Sequence, residues 1–234
     1  MKSECYDTIR MKKKRMRRIA GILIAVLVLG VAAGFQTKNF IKGQSRQNVE
    51  EEIASLHQKE DADGIVEETP NPYFIEKQAG YSYRSPQTIT YYSGLTQTMR
   101  HAMVFLPADY DEKKSYPVLY LLHGYGGSHR TWRNKKADVL LQNLSYFEDV
   151  PEMIVVCPNS NVNEEELVGY LMPYINSNYP VMQDREHTAV AGNSMGGRNA
   201  LAVAYRYPEH FGYVVRSDSS GGSQRYEYGI GTAA

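Results

Sequence analysis

Residues 188–207 run from TAVA through GNSMGG to RNALAVAYRY: a short apolar strand, a glycine-framed serine, then an Ala- and Leu-rich helix. The backbone must turn from extended to helical within a few residues there, and small neighbours are what let strand and helix approach so closely. Chance alone gives G-x-S-x-G roughly 0.08 times in a chain of this length. The strand-turn-helix setting is what lifts this match above an ordinary glycine-rich turn, because it is the setting in which a serine Oγ is raised clear of a sheet. Ser194 is the predicted nucleophile, framed by Gly192, Gly196 and Gly197. The N–H of Met195, at the start of the helix, is placed to meet a developing oxyanion.

The pattern on either side predicts an α/β fold. Strands are expected at 88–92 and 100–106, joined as an antiparallel pair near Ser93 and Gly94. Apolar runs at 117–122 and 153–157 suit strands buried on both faces. Helices are expected at 131–144, 163–175 and 196–207, and further strands at 188–191 and 211–215. In the second of these helices Leu167, Tyr170, Leu171 and Tyr174 share one face. Strands alternating with helices predict a mostly parallel central sheet with helices on both faces.

The strand at 117–122 leads straight into His123-Gly124-Tyr125-Gly126-Gly127. A glycine loop after an early strand is where this kind of fold takes a second oxyanion donor. His123 reads as a side chain that shapes this loop, since a catalytic base is expected to follow the serine in the chain.

Charge separates the N-terminus from the rest. The chain carries 26 basic and 26 acidic residues, a balance that argues against a nucleic-acid partner. Residues 1–18 nevertheless hold Lys2, Arg10, Lys12, Lys13, Lys14, Arg15, Arg17 and Arg18 against Glu4 and Asp7, leaving about −6 for the remainder. The uncharged run 19–35 follows; as a helix it would extend ~25 Å, against a hydrocarbon core of ~30 Å. Two readings stay open, an uncleaved signal anchor and a cleaved signal peptide with Gly30, Ala32, Ala33 and Gly34 near the cut. Either way the basic side stays in the cytoplasm and the rest crosses the membrane. Residues 36–72 are polar and acid-rich and read as a linker, and 73–234 as the globular domain. Cys5 and Cys157 fall on opposite sides in this topology, so no disulfide is expected. No metal-type Cys/His spacing or cofactor motif is present in the sequence.

The segments VFLPADY (104–110), YPVLYLLHGYGG (116–127), HTAVAGNSMGG (187–197) and YPEHFGYV (207–214) together resemble the esterase D and feruloyl esterase family, to which mycolyltransferases are related. The resemblance implies an α/β-hydrolase fold and a Ser-His-acid hydrolase of acyl esters, with Ser194 as nucleophile and the main-chain amides of Tyr125 and Met195 as the oxyanion hole. It further implies a small-molecule or polysaccharide ester as substrate, feruloyl or acetyl esters of plant polysaccharide suiting an exported location. Trp132 has two open roles, lining an acyl or sugar pocket or filling the core.

The chain departs from the family after Ser194. A serine needs a histidine to take its proton and a carboxylate to orient that histidine, in the order Ser, acid, His. The histidine that follows is His210, in a stretch where the family has a surface turn, and Asp218 is a weak candidate acid. Residues 216–234 (RSDSSGGSQRYEYGIGTAA) are Gly/Ser-rich where further strands are expected, and read as a truncated or frame-shifted end with two or more strands missing. Two other readings therefore stand beside the esterase: a catalytically incomplete, membrane-tethered carbohydrate-binding fragment using the aromatic groups around Tyr125 and Trp132, and an acyltransferase of the same fold.

Overall fold

In the computed structural model, residues 72–147, 150–159, 163–217 and 226–229 are described. The basic N-terminus, the apolar run 19–35, the linker up to residue 71 and Asp218 lie outside them. Among the described residues no helix is long and apolar enough to cross a membrane.

Seven strands form one mixed sheet: β1 (Gln87–Ser93), β2 (Thr98–Phe105), β3 (Val118–Leu122), β4 (Ile154–Pro158), β5 (Thr188–Asn193), β6 (Tyr213–Ser217) and β7 (Tyr226–Gly229), in the order β1-β2-β4-β3-β5-β6-β7. The central strands β4, β3, β5 and β6 run parallel. β1 and β2 form an antiparallel hairpin with Tyr92 opposite Met99, and β2 joins β4 antiparallel. All five residues of β3 and of β4 are buried, as continuous apolar runs in a sheet covered on both sides should be.

Side-chain alternation along the strands divides the core in two. Leu119, Leu121, Val155 and Cys157 point to one side, under α1 (Thr131–Asn134) and α2 (Ala137–Phe147). Val118, Tyr120, Ile154 and Val156 point to the other. That second side is covered by α3 (Glu164–Glu166), a π turn (Leu167–Leu171), α4 (Met172–Asn178) and α5 (Met195–Arg206). Cys157 is a free, buried thiol whose pKa is pushed up by burial.

Four expectations change. The helix expected over 131–144 is two helices, because Lys136 adopts a left-handed φ of 60° between them. The helix expected over 163–175 runs on to Asn178 and contains the π turn, with Pro173, which has no N–H to donate, at the start of α4. The strand expected at 211–215 begins two residues later. A Cβ on Gly212 would lie 2.3 Å from the Arg185 carbonyl oxygen, so residues 211–212 pack against 185 ahead of the strand. Finally, the C-terminal stretch expected to lack strands supplies β7, antiparallel to β6 with Val215 opposite Tyr228.

Candidate active site

At the carboxyl end of β5 the chain turns into α5 with Ser194 at φ 53° and ψ −115°. A non-glycine residue held there stores of order 1–3 kcal/mol, a strain seen mostly at functional positions. The glycines around it are dictated by space. A Cβ on Gly192 would lie 2.3 Å from the carbonyl carbon and oxygen of Gly196, and one on Gly196 would lie 2.5 Å from the His123 oxygen. At Gly197 it would meet the Arg216 side chain at 2.8 Å and the Gly192 oxygen at 2.9 Å. Strand, turn and helix can therefore close only on hydrogen.

Two further bonds fix the turn. The Ser194 N–H donates to the Ser217 carbonyl at 2.8 Å, and Asn193 Nδ2 donates to Ser217 Oγ at 2.8 Å. The elbow is thus tied to β6 as well as to its own strand. Met195 opens α5, where the first N–H groups have no intrahelical acceptor and the helix dipole favours negative charge.

The loop after β3 packs against this elbow. A Cβ on Gly124 would sit 3.3 Å from the Asn193 oxygen and 3.5 Å from Ser194 Cβ. The loop closes on a Gly127 N–H to Gly124 carbonyl bond of 3.2 Å, with Gly126 at φ 73°. Buried His123 has Nδ1 2.7 Å from the Gly124 oxygen, and a Cβ on Gly127 would meet that imidazole at 2.5 Å. His123 Nε2 is buried without a hydrogen-bond partner. It lines a small cavity with Pro158, Asn159, Met195, Gly196 and Asn199. Tyr125 is 92% exposed, so the contribution open to this residue at the elbow is its main chain.

Of the two roles open to Trp132, the structure selects the core: it is 2% exposed and packs with Leu119, Leu121 and Leu140. An aromatic pocket around Tyr125 and Trp132 does not form. His210 is not brought to the serine. It precedes β6, whose Ser217 end lies beside Asn193 while its Tyr213 end lies beside Ala189, a strand's length of ~13 Å from the elbow. His210 Nε2 stands 3.7 Å from Glu209 instead. Among the described residues, none of the histidine rings hydrogen-bonds Ser194. Sequence reasoning missed Ser217, whose carbonyl and hydroxyl clamp the elbow. No sequence signal marks it, because it acts through its place in the sheet.

A strained serine between a strand of the parallel centre of a mixed sheet and a helix, with the glycine loop that follows the neighbouring strand β3 beside it, defines an α/β-hydrolase. The Esterase family model, described as "Putative esterase", matches residues 93–219. The chain belongs to that family. It is 32% identical over 160 residues to an endo-1,4-beta-xylanase/feruloyl esterase of Xylanibacter ruminicola, covering 57% of this chain and 22% of that one. It is 29% identical over 146 residues to an acetyl esterase of Caldicellulosiruptor saccharolyticus, covering 56% and 55%. Among solved structures, a ferulic acid esterase from Anaeromyces mucronatus in complex with ferulic acid superposes with a TM-score of 0.59 at 32% identity, over 64% of each chain. The chain thus spans less than two thirds of the length of these relatives.

Proposed function

We propose that this protein is a serine carboxylic-ester hydrolase acting on acyl esters of carbohydrate, of the feruloyl or acetyl type. The observation that carries the reading is Ser194 held at φ 53° against the glycine loop, with Gly124 close to its Cβ. Such strain is retained where the surrounding structure supports a functional side chain. The similarity to feruloyl and acetyl esterases supports the substrate class.

In this reading Ser194 Oγ attacks the ester carbonyl carbon while a general base takes its proton. The negative charge that develops on the carbonyl oxygen is met by the main-chain N–H groups of Met195 and Tyr125, fixed in advance by α5 and the loop. The proton passes to the departing alcohol, and water then releases the acid from the acyl-enzyme by the reverse sequence. His210 does not serve as the base, since it stands at the far end of β6. The basic segment 1–18 before the apolar run 19–35 supports a domain held outside the cytoplasm, by an anchor or after cleavage.

The test is labelling by a fluorophosphonate followed by peptide mapping, together with hydrolysis of methyl ferulate. Covalent modification at Ser194, absent in Ser194→Ala, is expected. A chain in which Ser194 stays unmodified while other serines react would end this reading.

A further inference from the structure

We propose that the exposed face of the β1–β2 hairpin is a binding surface for an uncharged stretch of polysaccharide, centred on the cross-strand pairs Tyr92–Met99 and Thr90–His101. The proposal deepens the functional reading above, since it gives the carbohydrate part of the substrate a place to lie.

Tyr92 and Met99 stand directly opposite each other in the antiparallel ladder, and each is 58% exposed. Two large apolar side chains left open side by side are unusual on a surface that has polar alternatives at every other position of β1. Two residues along, on the same face, Thr90 Oγ1 lies 3.1 Å from His101 Nδ1. The face therefore presents two adjacent exposed apolar side chains beside a hydroxyl and an imidazole. A pyranose ring offers the matching surface, C–H bonds on one face and hydroxyls around the rim. Aromatic side chains with a few placed polar groups are the usual lining for such ligands.

Charge narrows the ligand. From Gln87 to Met99 the sequence has no Asp, Glu, Lys or Arg, in a chain of which 22% is charged. A nucleic acid or other polyanion would need cations on this face. A neutral glycan does not.

Neighbouring residues link this face to the elbow. The Asn159 N–H donates to the His101 carbonyl at 2.9 Å, and the rings of His101 and His129 are 6.0 Å apart. Asn159 lines the cavity beside Met195 and Gly196, while His129 follows the glycine loop. In the sheet order β1 is four strands from β5, or ~19 Å at ~4.8 Å per strand. That distance fits several sugar rings between the ester at Ser194 and a ring stacked on Tyr92.

The measurement is titration calorimetry of the full chain with neutral arabinoxylan oligosaccharides, beside fluorophosphonate labelling of the same samples. Tyr92→Ala and Met99→Ala lie at exposed positions, so folding is expected to persist. Tyr92→Ala is expected to weaken oligosaccharide binding about tenfold, and Tyr92→Trp to retain it. Labelling of Ser194 is expected to stay unchanged in all three variants. If Ser194 is not labelled even in the unmodified chain but Tyr92→Ala still loses the oligosaccharide, the catalytic reading fails and the surface stands. The proposal is overturned if the unmodified chain binds no oligosaccharide, if Tyr92→Ala binds as well as the parent, or if Tyr92→Ala converts a dimer to a monomer while glycan affinity holds.

Discussion

The Ser194 N–H donates to the carbonyl oxygen of Ser217 at 2.8 Å, joining the strained residue of the elbow to the last residue of the neighbouring strand. The bond matters because a backbone at φ 53° persists only where its surroundings over-determine it. Three separate constraints do so here: the Ser217 clamp, the contact of Gly192 with Gly196, and the packing of Gly196 on the end of β3. The reactive geometry is thus a property of three adjacent strands, β3, β5 and β6.

Replacing Ser194 by glycine should relieve the strain. Glycine takes positive φ without a Cβ clash, so Ser194→Gly is expected to raise stability by about 1 kcal/mol while abolishing fluorophosphonate labelling. Urea denaturation of the variant beside Ser194→Ala measures this; equal midpoints for the two would show that the elbow stores no strain.

Gly196→Ala should do the opposite. Its methyl group would stand 2.5 Å from the His123 oxygen and 2.6 Å from that of Leu122, both main-chain atoms that cannot swing aside. A loss of about 1–3 kcal/mol is expected, together with slower labelling of Ser194 as α5 is pushed off β3. Unchanged denaturation and labelling would mean that the helix shifts freely, against the close packing described.

Glu166 is a carboxylate only 1% exposed, beneath the β1–β2 hairpin. It accepts from Tyr91 OH at 2.9 Å and from Ser93 Oγ, with Arg100 Nε 4.0 Å away. This arrangement pins α3 to the hairpin. Glu166→Ala leaves those partners buried and is expected to cost about 3–5 kcal/mol, whereas Tyr91→Phe, which removes one bond, should cost about 1 kcal/mol. Thermal or chemical denaturation of the two variants tests the ranking, and a milder effect for Glu166→Ala than for Tyr91→Phe would refute it.

Burial lowers the pKa of His129 from its ordinary 6.5, outweighing the raising effect of the nearby Asn159 side chain, and Arg130 and His101 lower it further; neither ring nitrogen has a hydrogen-bond partner. The folded chain therefore binds a proton here less readily than the unfolded one. As pH falls below about 6.5 the unfolded state gains protons first, so this group's contribution to stability declines from there down through the folded pKa. His129→Gln should flatten the fall in stability between neutral and mildly acid pH. A denaturation series across that range in both proteins checks it, and parallel slopes would remove His129 from the account.

How much of this was legible beforehand differs from element to element. The buried strands β3 and β4 announced themselves as short continuous apolar runs, and the elbow as glycines in a strand-turn-helix setting, because those signals are local. The break at Lys136 and the π turn before Pro173 leave no mark in the apolar periodicity, since a left-handed φ at a lysine and a π turn are backbone conformations that side-chain spacing does not specify. Trp132 carried no local mark of its role: an aromatic after a glycine loop serves a pocket or a core equally well until α1 is docked.

By itself, then, the sequence determined the α/β alternation, the identity of the candidate nucleophile and the use of small residues at Gly192 and Gly196, all consequences of residue size and period along a single stretch of chain. Tertiary structure alone decided that Trp132 is core, that His210 stands a strand's length from Ser194, that Ser217 clamps the elbow, and that Tyr92 meets Met99 on an open face. The reason is physical. These relationships join residues distant in the chain, and they are set by strand order and register, which no local pattern of side chains specifies.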